Sequence, residues 1–237
     1  MISLLYSIEN KPASAGRMEL FMQITTMLLQ LLEGLGVSVY IFVMTLLFSL
    51  PLGLIIAFGR MSKNRVLRFL TKIYISIMRG TPLMLQLMVV YFGPYYIFGV
   101  RISSSYRMTA VLIGFVINYA AYFAEIYRGG IESMPSGQYE AAKVLGYHKI
   151  QTFFVIIFPQ VVKRIIPSIT NEVITLIKDT SLSFVLAIPE MFTIAKQIAA
   201  AQTSVAAFIA AGVFYYVFNL IVAVGMEVIE KKLNYYR

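Results

Sequence analysis

Glu140-Ala141-Ala142-Lys143-Val144-Leu145-Gly146 lies in the longest hydrophilic stretch of the chain, Arg128 to Arg164, between two apolar runs. Its local chemistry predicts a short helix from Ser136 to Leu145. Pro135 and Ser136 are start signals, Ala141 and Ala142 are strong helix formers, and Gly146 is a natural left-handed stop. Two adjacent alanines present little side-chain bulk, so the groove of another protein can approach the backbone, while Glu140 and Lys143 supply charge at the rim. A short surface helix ending at a glycine elbow is suited to docking, although the triplet alone is far more often the mark of an ordinary amphipathic connector.

The spacing around the triplet is more specific. After Glu140-Ala141-Ala142 three residues intervene before Gly146 and nine more before Ile156, and Phe158-Pro159 follows. This resembles the EAA loop of bacterial ABC importer permeases, with Phe158 where that family has leucine. The resemblance implies that Glu140, Ala141, Ala142 and Gly146 form a cytoplasmic coupling helix inserted into a cleft of a separate ATP-hydrolysing subunit, with Pro159 ending its linker to the next span.

Composition agrees with a membrane protein. Of 237 residues, 59% are hydrophobic and 13% charged, and the mean hydropathy is +0.78, too apolar for one soluble domain of this size. A net charge of +9 would suggest nucleic acid in a soluble chain. Here it fits Lys and Arg held on the cytoplasmic side of a bilayer, with no nucleic acid as partner. The absence of cysteine removes disulfides, thiolate metal sites and thiol nucleophiles.

Hydropathy predicts an all-α polytopic fold with five transmembrane helices. Residues 1–32 read as an extracytoplasmic or interfacial segment, in which Met18 to Leu32 lies along the membrane surface; a signal peptide lacks support, because no basic start, short apolar core and small-residue cleavage site occur in series. Gly34 and Gly36 are expected to break the helix, because a rod from Leu20 to Gly59 would be about 60 Å long, about twice the hydrocarbon thickness. The spans then fall at about 35–58, 66–91, 107–127, 165–188 and 201–229, with 189–202 a loop or short helix. The transmembrane domain covers 33–230 and residues 231–237 form a tail.

Thirteen Lys and Arg follow the inner side and five the outer side if the loop after the first span is inside. That predicts an outer amino terminus, a cytoplasmic carboxyl terminus and a cytoplasmic EAA segment.

The intramembrane polar residues point to a solute path. In the fourth span about twelve large apolar residues, each worth about −0.3 to −0.6 kcal/mol, offset only part of Glu172, Lys178 and Asp179 at about +2.5 to +3.5 each. Asn171, Thr175 and Lys178 recur at helical spacing, as do Glu172, Thr175 and Asp179, giving a stripe expected to face the bundle interior. Asn118, Tyr122 and Glu125 repeat the pattern on the third span. Lys178 and Asp179 are adjacent and cannot face each other, so Glu125 and Arg79 are their candidate partners; substrate contact and buried structural pairing weigh evenly.

Arg79-Gly80-Thr81-Pro82 with Gln86, Lys178-Asp179-Thr180-Ser181-Leu182, and Ala124-Glu125-Ile126 with Arg128-Gly129-Gly130-Ile131 are similar to segments of the polar amino acid uptake branch of that permease family. The likeness covers about residues 33 to 230. Physically, Gly80 and Pro82 break or kink the second span, freeing carbonyls and re-aiming Arg79. The resemblance implies alternating access in the bacterial cytoplasmic membrane: an extracytoplasmic binding protein delivers a polar amino acid to a dimer of this chain with itself or a related permease, and two ATPase subunits drive it. Residues 118–125 and 171–181, with Thr180 and Ser181 included, would line the route.

No run fits G-x-x-x-x-G-K-[ST], so this chain is expected to bind no cofactor itself, ATP and Mg2+ residing on the partner. No catalytic constellation is present, and His148 reads as a solvated residue. An ion-gradient-driven secondary transporter, with the buried Glu, Asp and Lys as a proton relay, and a non-conducting assembly subunit are the competing classes. Neither accounts for the EAA spacing.

Overall fold

The computed structural model describes residues 13–233, with side chains from residue 17. The first twelve residues of the amino-terminal segment and residues 234–237 of the tail lie outside the described residues. Every element among them is helical: α1 (Ala13–Arg60), α2 (Arg65–Gly80), α3 (Leu83–Phe98), α4 (Tyr106–Glu132), α5 (Ser136–Val144), α6 (Lys149–Gln151), α7 (Phe158–Asp179), α8 (Met191–Gln202) and α9 (Ala206–Leu233). A π turn, Thr152–Ile157, joins α6 to α7, and a 3₁₀ turn, Thr180–Leu186, extends α7.

Four helical runs are long and apolar enough to cross a membrane: Arg17–Arg60, Tyr106–Glu132, Lys149–Leu186 and Ala206–Leu233. The pair α2 and α3, bent by 113° between Gly80 and Leu83, passes the same test of length and apolarity when taken together. Counted as one broken span, it brings the number to the five expected from hydropathy.

The first span departs from expectation. Gly34 and Gly36 do not break α1, which runs 48 residues without interruption, about 72 Å, straight through the supposed boundary at residue 33. An interfacial helix over Met18 to Leu32 is thus replaced by the amino-terminal part of a single rod. The reason lies at Gly34, where a Cβ would stand 2.7 Å from the Cα of Met191: the glycine lets α8 cross against α1. Met27 and Leu31 of α1 pack there with Met191 and Ala195 of α8 and Ala207 and Ala211 of α9. Residues 189–202, read as a loop or short helix, form α8, whose first turn is capped by Glu190.

At the centre stands α4, which touches α1, α2, α3 and α7. Its Phe115, Tyr119 and Phe123 are fully buried or nearly so, and they join Ile41 and Ala57 of α1, Leu87 of α3 and Val161, Leu176 and Ile177 of α7 in one core. The third span extends to Glu132, five residues beyond its expected end, because Arg128 reaches back to Glu125 and forward to Glu132 and supports one more turn.

Replacing Gly34 by Ala drives a methyl into the α8 backbone and is expected to lower stability by about 1–3 kcal/mol. Gly36→Ala, with nothing within 4 Å of the new methyl, is expected to raise it by up to about 1 kcal/mol through helix propensity. Melting temperatures of the two variants in detergent, moving in opposite directions, check the pair.

A broken span, a polar face and a hanging helix

Pro82 decides the geometry of the second span. It has no N–H to give to the Met78 carbonyl, and the residue before it is pushed out of the helical region; Thr81 is extended at φ −124°, ψ 149°. Two side chains answer the freed carbonyls. Gln86 Nε2 donates to Met78 O at 3.0 Å, to Thr81 O at 3.1 Å and to Thr81 Oγ1 at 2.8 Å. Asn118 Nδ2 donates to Met78 O at 3.1 Å and to Gln86 Oε1 at 3.0 Å. Asn118, expected on a solute path, is thus buried as the clamp of the break. The same device recurs at Pro94, whose missing N–H frees Val90 O for the Tyr106 hydroxyl at 3.3 Å.

The break leaves Arg79 exposed at the end of α2, its guanidinium 5.2 Å from the centre of the Tyr122 ring. Arg79 lies within Coulombic reach of both Glu172 and Glu125 but pairs directly with neither Glu125 nor Asp179. Glu125 is held instead by Arg128 at 2.6 Å and Arg60 at 3.6 Å, which ties α1 to α4. Asp179 accepts a hydrogen bond from Tyr119 at 2.7 Å. The partners expected from sequence, Glu125 and Arg79 for the Lys178-Asp179 pair, are therefore not the ones formed. The Tyr119 phenol reaches Asp179, and Arg128 with Arg60 reaches Glu125, in place of Arg79 and Lys178.

The stripe on α7 also faces the other way from expectation. Asn171, Thr175 and Lys178 are exposed on this chain, and Glu172 and Asp179 half-buried beside them. The bundle interior is filled by the opposite face, with Val161, Ile165, Ile169, Val173, Leu176 and Ile177 buried. The hydroxyls of Thr175, buried Thr180 and half-buried Ser181 donate to carbonyls three or four residues back on their own helix, leaving oxygen lone pairs to accept. Together Arg79, Tyr122, Glu172, Lys178 and Asp179 make a polar region with both charge signs at the surface of the chain.

The helix expected around the EAA triplet forms as α5, from Ser136 after Pro135, and ends at Gly146 with φ +83°. Tyr147 N donates to Ala142 O and Gly146 N to Lys143 O, closing a turn that suits glycine. The two alanines differ. Ala141 and Glu140 are exposed, whereas Ala142 is 1% exposed and faces into the chain, where α5 packs on the π turn. Gln160 Nε2 donates to Ile156 O at 2.7 Å and to Gln138 Oε1 of α5 at 3.5 Å. Arg164 donates to Ser133 O at 2.8 Å at the end of α4. Pro159 does not end a linker, because the chain is helical from Lys149 to Leu186; it occupies the first turn of α7, where the ladder leaves its π register and needs no donor from it.

Sequence reading passed over three features here. Val144 and Leu145 are 87% and 73% exposed at the end of α5, an apolar tip in a segment selected for its polarity. Tyr119, the partner of Asp179, sits sixty positions away with no shared spacing. Glu190, fully buried, accepts from Phe192 N and Thr193 N at 2.7 Å, from Thr193 Oγ1 at 2.8 Å and from Tyr215 at 3.1 Å. Burial raises the pKa of its carboxyl and the backbone and hydroxyl donors oppose that shift.

A family model described as a binding-protein-dependent transport system inner membrane component matches residues 49–235. The chain is 38% identical over 206 residues to the probable amino-acid ABC transporter permease protein YckA of Bacillus subtilis, covering 86% of this chain and 89% of that protein. It is 34% identical over 217 residues to the putative glutamine transport system permease protein GlnP of Rickettsia bellii, covering 91% and 98%. Among solved structures, one described as an amino acid ABC transporter with histidines superposes with a TM-score of 0.79 at 28% identity, covering 90% and 98%.

Gln86→Leu and Asn118→Leu each strip donors from the Met78 carbonyl, and each is expected to cost about 1–3 kcal/mol. Because they share one network, the double variant should lose less than the sum of the two. A double-mutant cycle on thermal unfolding in detergent measures this.

Proposed function

From the premise that this chain belongs to the family of binding-protein-dependent transport system inner membrane components, in the polar amino acid branch of ABC importer permeases, we propose that it is the translocation subunit of an ATP-driven amino acid importer. The observation that carries the reading is mechanical. Helix α5 ends in an exposed apolar tip and hangs from both polar-bearing helices: through Ser133 and Arg164 at the α4–α7 junction, and through Gln138 and Ala142 at the π turn leading into α7. A push on α5 therefore reaches Tyr122 and the 171–179 face through continuous helix.

On this reading Glu140, Ala141 and Gly146 face the cleft of a separate ATPase subunit, Val144 and Leu145 enter it, and Ala142 backs the helix from within. ATP and Mg2+ bind to two such subunits and not to this chain. The exposed polar face of α7 cannot be left against lipid, where each charge costs about 2.5–3.5 kcal/mol at the helix centre; a second copy or a related permease covers it and encloses the route. Arg79, Tyr122, Asn171, Glu172, Thr175, Lys178, Asp179, Thr180 and Ser181 line that route. Carboxylate and ammonium groups within one region suit the two charges of a zwitterionic amino acid. An extracytoplasmic binding protein loads it, the dimer rocks between outward and inward access, the amino terminus is outside and the carboxyl terminus and α5 are cytoplasmic.

Val144→Asp with Leu145→Asp removes two apolar side chains worth about 1.5–3 kcal/mol each when buried and is expected to weaken capture of the co-expressed ATPase by at least about a hundredfold. Gly146→Asp places a side chain at φ +83°, and is expected to abolish ATP-dependent amino acid uptake while the protein remains in the membrane. Uptake in vesicles and ATPase pull-down read both; wild-type uptake by either variant would defeat the coupling role.

A further inference from the structure

Ninety-one consecutive residues between Glu33 and Glu125 contain no Asp or Glu, yet Arg60, Lys63, Arg65, Arg68 and Lys72 crowd into thirteen of them. Arg60 alone reaches a carboxylate, Glu125 at 3.6 Å. Among the described residues, Lys63, Arg65, Arg68 and Lys72 are in no ion pair, and all four are exposed. At about 100° per residue Arg65, Arg68 and Lys72 fall within about 60° of one another on α2.

The helix itself adds to the imbalance. Arg65 and Arg68 occupy its first turn, which holds no acidic residue, where the aligned peptide dipoles already present positive potential. Asn64 caps the Val66 and Leu67 amides at 2.9 and 3.3 Å but brings no charge. Beside the cationic stripe Val66, Phe69, Ile73 and Ile77 are exposed, a continuous apolar strip fitted to acyl chains. Lys72 lies about 10 Å along α2 from Arg65, within reach of the phosphate layer for a side chain that extends toward it; Arg79, about 21 Å along, is too deep and stacks on Tyr122 instead.

We propose that the start of α2, with Lys63, Arg65, Arg68 and Lys72, is a binding site for the headgroups of anionic phospholipids in the leaflet on the α5 side. The occupant supplies the negative charge that the protein withholds over this stretch of its sequence, and its chains lie on the adjoining apolar strip. The Arg60–Glu125 pair joins the site to the foot of α4 and so to the helix from which α5 hangs.

The test uses the purified chain with its ATPase subunit, in neutral detergent with equal phosphatidylglycerol and phosphatidylcholine, retained lipid being counted by native mass spectrometry. The wild type is expected to retain phosphatidylglycerol selectively, and Arg65→Gln/Arg68→Gln/Lys72→Gln to bind it about fivefold more weakly per cation removed. Arg65→Lys/Arg68→Lys, which keeps the charge, should behave as wild type, and so should Arg101→Gln/Arg107→Gln at the other end of the bundle. Should the triple variant fail to insert, the wild type alone decides: its selectivity must fade as salt is raised. Equal retention of the two lipids by the wild type, undiminished retention by the triple variant, selectivity indifferent to salt, or selectivity seen only after the ATPase is stripped away, which would make these cations protein contacts, each overturns the proposal.

Discussion

A backbone carbonyl that loses its helical donor within a bilayer has no water to turn to, and the cost of leaving it bare is several kcal/mol. Met78 is such a carbonyl. The whole arrangement around the polar region depends on its being met by Gln86 and Asn118: with those donors in place α2 can stop at Gly80, α3 can leave at a steep angle, and Arg79 can stand free at the end of α2. Without them the break that Pro82 imposes would leave the Met78 carbonyl bare inside the bundle. Asn118, expected on a solute path, instead clamps the break beyond which Arg79 stands exposed.

The distribution of polarity on α7 has a related logic. A helix in a membrane can be apolar toward its own bundle and polar toward whatever joins it from outside. Val161, Ile165, Ile169 and Val173 bind α7 to its own chain while Asn171, Thr175 and Lys178 are left uncovered. Tyr119 limits the exposure by holding Asp179 against α4, so the acidic half of the Lys178-Asp179 pair is fixed and the basic half is free. Such an unequal pair orients the field across the polar region rather than cancelling it.

Length, apolarity and the charge-poor runs made the helical class and the number of crossings legible from residues alone, and Pro135, Ser136 and Gly146 marked α5 nearly to its ends. Pro82 announced the break. Other features left no mark in local sequence. Gly34 carries no label saying whether it interrupts a helix or admits a neighbour; only the Met191 backbone beside it decides. Polar periodicity on α7 gives an angle about the helix axis but not what lies in that direction, so its outward aim could not be read. Tyr119 with Asp179 and Arg60 with Glu125 join residues sixty or more positions apart, and their pairing depends on how helices cross. Ala141 and Ala142 are alike in composition and opposite in exposure for the same reason.

The way the two prolines are served bears on how the protein is made. Gln86 offers Met78 a first donor from within the bent pair of α2 and α3, but Gln86 Oε1 and the Val90 carbonyl wait for Asn118 and Tyr106, both on a helix translated later. Until α4 emerges and inserts, the bent pair holds polar groups it cannot satisfy in lipid. The bent span therefore reaches its final shape only when the next crossing arrives beside it, and α4 serves during biogenesis as the template on which its predecessor is finished.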